Sequence, residues 1–280
     1  MIKGYFGFLQ RAPTWNGVYI AALLFACIGL IVGAFLVWQV DPGGSLGPAV
    51  ATLAAAFLGP YFAFGLESQR RQAERRAEAD RERAERAREL IKAAYLFSRY
   101  LNSLLPLVRD IEKLGAFKNV CFQLKASLPV DLRGTSPDWE SLSFIGLEDG
   151  EFLTRLFLIE EGYTQAIVSV HQRAEIYVND FQAAFHQLRP ESRAVCTGFS
   201  APFFFSSWVL DRLKMSTGVM QFHVYSTVLD IMEAIESLAE HGRRFYPGEP
   251  VASFKLPDDP EFDREKMKAR VEDLGKHFNF

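Results

Sequence analysis

Between Gly17 and Leu66 the chain carries a single charged side chain, Asp41. That residue opens Asp41-Pro42-Gly43-Gly44-Ser45, a stretch of turn-forming residues that divides the region into apolar runs over 17–40 and 46–66. A helix needs about 20 predominantly apolar residues to cross the hydrocarbon core of a bilayer. Both runs reach that length, so the pattern predicts a two-helix transmembrane hairpin. A cleaved signal peptide fits less well. The first run is too long for one, and Val37-Trp38-Gln39-Val40-Asp41-Pro42 is not a small-x-small cleavage site. Two buried helices of a globular core fit less well too, because apolar residues on every face over such lengths are rare there.

Basic residues set the expected orientation. Lys3 and Arg11 precede the first run, the connecting turn has only Asp41, and Arg70, Arg71, Arg75 and Arg76 follow the second. The excess of Lys and Arg on cytoplasmic flanks predicts a multi-pass protein of the bacterial inner (cell) membrane, with both ends in the cytoplasm. Trp15, Tyr19 and Trp38 fall where interfacial aromatics are expected.

The two runs differ in bulk. The first is rich in Ile, Leu and Phe, with Gly29 and Gly33 forming a GxxxG; the second is rich in alanine, including Ala55, and carries Gly59-Pro60. Small residues let helices approach closely in lipid, either within one hairpin or between several. Proline removes a backbone hydrogen bond and strains the preceding turn, so Gly59 and Pro60 are expected to kink the second helix near Ala56, as a static bend or a hinge.

Residues 67–92 form a charged stretch in which arginines alternate with acids, with no Gly, Pro or β-branched residue before Ile91. High propensity and i,i+3 and i,i+4 ion pairs such as Glu82–Arg86 predict a helical stalk continuous with the second run. A heptad register runs through Ala73, Ala77, Asp80, Ala84, Ala87, Ile91, Ala94, Ser98, Leu101 and Leu105. Its alanine-rich seam supports either a weak coiled coil between protomers or a helix lying on its own domain. The interleaved acids cancel most of the field that direct nucleic-acid binding would need.

Residues 93–280 read as a cytoplasmic helical bundle, with no period-two alternation that demands a sheet. The stalk helix is expected to end at Gly115. Ser136-Pro137 is expected to open a short helix carrying Trp139, Leu142 and Phe144 inward. A long helix starts at Glu148-Asp149-Gly150-Glu151 and runs to Leu188, with the seam Leu156, Glu160, Tyr163, Ile167, Val170, Ala174, Tyr177, Phe181, Ala184 and Leu188. A second long helix, about 203–242, has the seam Leu210, Leu213, Thr217, Met220, Val224, Thr227, Ile231, Ala234 and Leu238, with Gly218 as a soft spot. A last amphipathic helix follows Asp258-Asp259-Pro260. The 25 phenylalanines serve a core or an interface, and Phe203-Phe204-Phe205 with Trp208 raises the same choice locally.

Chemistry-bearing motifs are absent from the sequence. It contains no P-loop, GxGxxG or HExxH. Cys27, Cys121 and Cys196 form no CxxC or CxxH pair, so neither zinc nor a disulfide framework is indicated. His171 with Cys121 or Cys196 has no context of a nucleophile pair. Glu160, on an apolar seam, is expected to reach water or an arginine. The expectation is a non-enzymatic protein without cofactor or metal.

The order of hairpin 17–66, charged helix 67–92 and helical domain 93–280, after a flank of residues 1–16, resembles the two-span effector membrane proteins of bacterial anti-phage systems, such as those encoded with retrons. The resemblance is one of layout and transfers no functional residue. It implies an antiviral-defence effector whose helical domain senses a cytoplasmic protein or nucleoprotein partner and whose hairpin oligomerises to perturb the bilayer. The alternative is a membrane-tethered scaffold or adaptor with a passive anchor.

Overall fold

The computed structural model describes residues 46–126, 129–188, 205–250 and 263–278, with positions 29, 32, 33, 35 and 39 besides. Their regular structure is all helical: α1 (Leu46–Leu114), α2 (Phe117–Gln123), α3 (Ser143–Glu148), α4 (Gly150–Ile176), a π-helical segment (Tyr177–Gln182), α5 (Ala183–Gln187), α6 (Ser207–Phe245) and α7 (Arg264–Phe278). The chain divides into two compact units, Met1–Ala79 and Asp80–Phe280. The division falls inside the charged stretch.

In the first unit, α1 is assigned without a break through Gly59 and Pro60, which are exposed. The arginine-rich run is helical as expected, with Arg71 Nε on Glu67 at 2.9 Å and Arg70 Nε on Glu74 at 2.8 Å. These exposed i,i+4 pairs add about 0.3–0.5 kcal/mol each.

The membrane expectation needs correction. Among the described residues, no helix is long and apolar enough to cross a membrane. This overturns the multi-pass inner-membrane placement and removes its support for an N-in, C-in topology. The run 46–66 is, as expected, continuous with the charged stretch, within one 69-residue helix. Much of it is alanine and glycine, with Pro48 and Pro60, and such residues carry far less apolar surface than Leu, Ile or Phe. The run 17–40 lies outside the described residues apart from positions 29, 32, 33, 35 and 39.

The second unit is a helical bundle. From Ala87 onward α1 becomes a buried central helix. Ala87, Leu90, Ala94, Phe97, Leu101, Leu104, Leu105, Val108 and Ile111 join one core with Leu156, Ile159, Ala166, Ile167 and Val170 of α4 and Val224, Val228, Ile231, Ile235 and Leu238 of α6. The heptad seam beyond Ala87 is therefore used within the chain. The stop at Gly115 is as expected: its φ of 68° suits glycine, and its N–H closes on the Ile111 carbonyl at 3.1 Å.

Asp149 caps α4 by accepting from Phe152 N at 3.0 Å, and Ser206 caps α6 by accepting from Val209 N at 3.4 Å. Every residue of the expected α6 seam is buried. Two details differ from expectation. Ser136 does not cap a helix: its hydroxyl donates to the Pro137 carbonyl and accepts from the Trp139 indole, and the short helix starts later, at Ser143. The long helix through Leu188 contains the π segment, where the backbone makes a wider turn. Phe181 of that segment, with Cys121, Phe122, Phe205, Leu210 and Leu213, forms a second, smaller core. For α7, Asp263 accepts from the N–H groups of Glu265 and Lys266; Asp258-Asp259-Pro260 lies outside the described residues.

Candidate functional site

One polar cluster of the second unit centres on Glu148, the last residue of α3. Tyr246 Oη donates to its Oε1 at 2.7 Å, His241 Nε2 lies 3.0 Å from Oε2, and Arg86 Nη1 lies 3.6 Å from Oε1. Arg86 also pairs with Glu82 and lies over the Phe144 ring at 5.5 Å. Burial, followed by the hydrogen bond and negative charge of Glu148, pushes Tyr246 ionisation well above the ordinary phenol range. The His241 ring packs between Phe152 and Phe245, at centroid distances of 5.3 and 4.4 Å.

Beside this cluster lies an open cavity of about 270 Å³ lined by Phe152, Arg155, Ser237, Glu240, His241 and Arg244, among others. Its chemistry is largely committed. Both Glu148 oxygens are engaged by donors, Arg155 is held by Glu233 at 2.5 Å, and Asp149 caps a helix. A carboxylate already shared by Tyr, His and Arg is a joint between helices rather than a free general base.

A second joint is Glu112 on α1. It accepts from Tyr225 Oη at 2.5 Å, from Lys266 Nζ at 2.6 Å and from Arg270 Nε at 3.0 Å, tying α1, α6 and α7 together. Burial would raise its pKa, but the hydrogen bonds from Lys266 and Tyr225 and the charges of Arg270 and Lys266 outweigh it, and the carboxyl is held below its ordinary range.

A third joint uses a cation. Arg173 is 1% exposed. Its Nη2 donates to the carbonyls of Val120 and Cys121 at 3.3 and 3.1 Å, near the C-terminus of α2, where a cation is favoured. The guanidinium stacks over Tyr177 at 4.7 Å, while its Nε has no hydrogen-bond partner. Burial pulls its pKa down to about 10. In the same region, burial pushes the Cys121 thiol up to about 11, which makes it a packed apolar group rather than a nucleophile. Finally, the Tyr100 and Tyr163 rings stack at 4.1 Å, and Tyr163 Oη bonds Ser103 Oγ and accepts from Leu132 N, holding the 129–135 loop.

The residues singled out from sequence fall as follows. Gly29 and Gly33 are helical, and a Cβ built at Gly29, Gly33 or Gly59 meets nothing within 4 Å. Ala55 lies in α1, and Arg70, Arg71, Arg75 and Arg76 are exposed along it; Lys3 and Arg11 lie outside the described residues. Glu160 accepts from the Trp139 indole at 2.9 Å rather than meeting an arginine. Phe205 is buried and stacks on Phe181 at 4.7 Å, whereas Trp208 is exposed beneath Arg212. Among the described residues, no group of three or more His, Cys, Asp or Glu side chains could hold a metal ion. Sequence reasoning missed Glu148, Arg173 and Gln221, whose roles depend on contacts far apart in the chain.

Comparison with family models, with curated proteins and with solved structures finds no match. The likeness in layout to retron-type effectors thus has no matched relative behind it.

Proposed function

We propose that this chain is a non-enzymatic, self-associating helical scaffold whose bundle recognises a partner. The observation that carries this reading lies in the first unit: Phe64 and Leu66 stand 79% and 67% exposed on α1. Two residues apart on a helix, they point to nearly opposite sides. A helix apolar on opposite sides needs neighbours on more than one side, and further copies of the same helix supply them. The arginine and glutamate alternation that follows is compatible with this, because mixed charge lets copies lie side by side without a single-sign field.

The second unit supplies the recognition half. Its well-formed polar clusters hold helices together, and among the large side chains it turns outward are the apolar Tyr95, Leu147, Leu158 and Trp208. The test is the mass of the full chain in solution over a concentration series, with Phe64→Glu and Leu66→Glu compared. The scaffold reading expects assemblies larger than a dimer that these substitutions dissociate.

A further inference from the structure

A cavity of about 220 Å³ lies between α6 and α7, lined by Phe117, Gln221, Arg270, Asp273, Leu274 and Phe278, among others. It is smaller than the roughly 300 Å³ at which sites for drug-sized ligands begin. Gln221 is 2% exposed, and its amide nitrogen has no hydrogen-bond partner. Such a donor costs stability unless something accepts from it. Arg270 gives Nε and Nη2 to Glu112, and the guanidinium has further N–H groups to offer. Asp273 is exposed on the cavity rim.

We infer that this cavity binds a free apolar α-amino acid. Gln221 and Arg270 supply donors for a carboxylate, Asp273 supplies an acceptor for an ammonium group, and Phe117, Leu274 and Phe278 supply an apolar wall. A simple anion is opposed by Asp273, and a simple cation by Arg270, with the His277 ring also in the lining. A zwitterion satisfies both. A flat heterocycle is disfavoured because the Phe117 and Phe278 rings are tilted 52° with centroids 5.9 Å apart, which is not a parallel slot. This inference is independent of self-association, since every lining residue belongs to the second unit.

The test is calorimetric titration of the full chain with leucine, phenylalanine, N-acetyl-leucine and adenine. Leucine or phenylalanine is expected to bind, and N-acetylation to weaken binding about tenfold or more, as loss of a charged hydrogen bond does. Asp273→Asn is expected to weaken leucine and phenylalanine binding to the same degree without changing the unliganded melting temperature. Absence of binding by both amino acids, equal binding of N-acetyl-leucine, unchanged affinity in Asp273→Asn, or binding of adenine alone each overturns the inference.

Discussion

The ring of Phe278 occupies the space that a side chain at Gly218 would need. A Cβ built at Gly218 meets Phe278 Cε2 and Cζ at 2.3 Å. Glycine in the middle of α6 is therefore what lets the end of α7 settle against it. Replacing Gly218 with Ala gains about 1 kcal/mol of helix propensity but displaces a ring whose packing is worth about 2 kcal/mol. Gly218→Ala should thus destabilise by about 1 kcal/mol in the native background and stabilise by about 1 kcal/mol in Phe278→Ala. Urea denaturation of the four proteins of this double-mutant cycle checks the reversal; stabilisation in both backgrounds would contradict the contact.

Glu112 should leave a signature in acid. Its folded-state pKa lies below the ordinary value of 4.5, so the folded state favours the ionised form. Its contribution is fully present above that ordinary value and is lost as pH falls through the lower folded value. Glu112→Gln should cost about 2–3 kcal/mol at neutral pH and flatten the fall in stability on acidification. Chemical denaturation as a function of pH measures both effects, and an unchanged acid limb in the variant would count against the triple hydrogen bond.

Arg173 should behave as a helix-end clamp. Arg173→Ala removes the guanidinium donor from the Cys121 carbonyl, leaves the Val120 carbonyl with only the Leu124 N–H and leaves space beside Tyr177, at an expected cost of about 3 kcal/mol. Arg173→Lys keeps the charge but loses the fork, at about half that cost. Hydrogen exchange should show the loss of protection first at residues 117–124. Protection unchanged there, with stability within about 0.5 kcal/mol of the native chain, would mean the clamp does not hold α2.

These joints also show how far the fold was legible in the sequence. Local signals read well: Gly115 stops α1, Asp149 opens α4, and the α6 seam from Leu210 to Leu238 is buried throughout. These depend on periodicity and capping, which neighbouring residues specify. What was not legible depends on distant partners. Glu148 meets His241 and Tyr246 across 93 and 98 residues, and Arg173 meets the Val120 and Cys121 carbonyls across 53 and 52. Gly218 read as a weakness until Phe278 was placed against it. The π segment at Tyr177 has no local signature among its residues.

The most direct test of the scaffold is sedimentation velocity on the full chain beside Phe64→Glu and Leu66→Glu. The account expects the native chain to sediment as an assembly larger than a dimer, and each substitution to shift it toward the monomer while leaving the helical circular dichroism of the bundle intact. A native chain that stays monomeric across the concentration series, or an assembly that both substitutions leave unchanged, would contradict it.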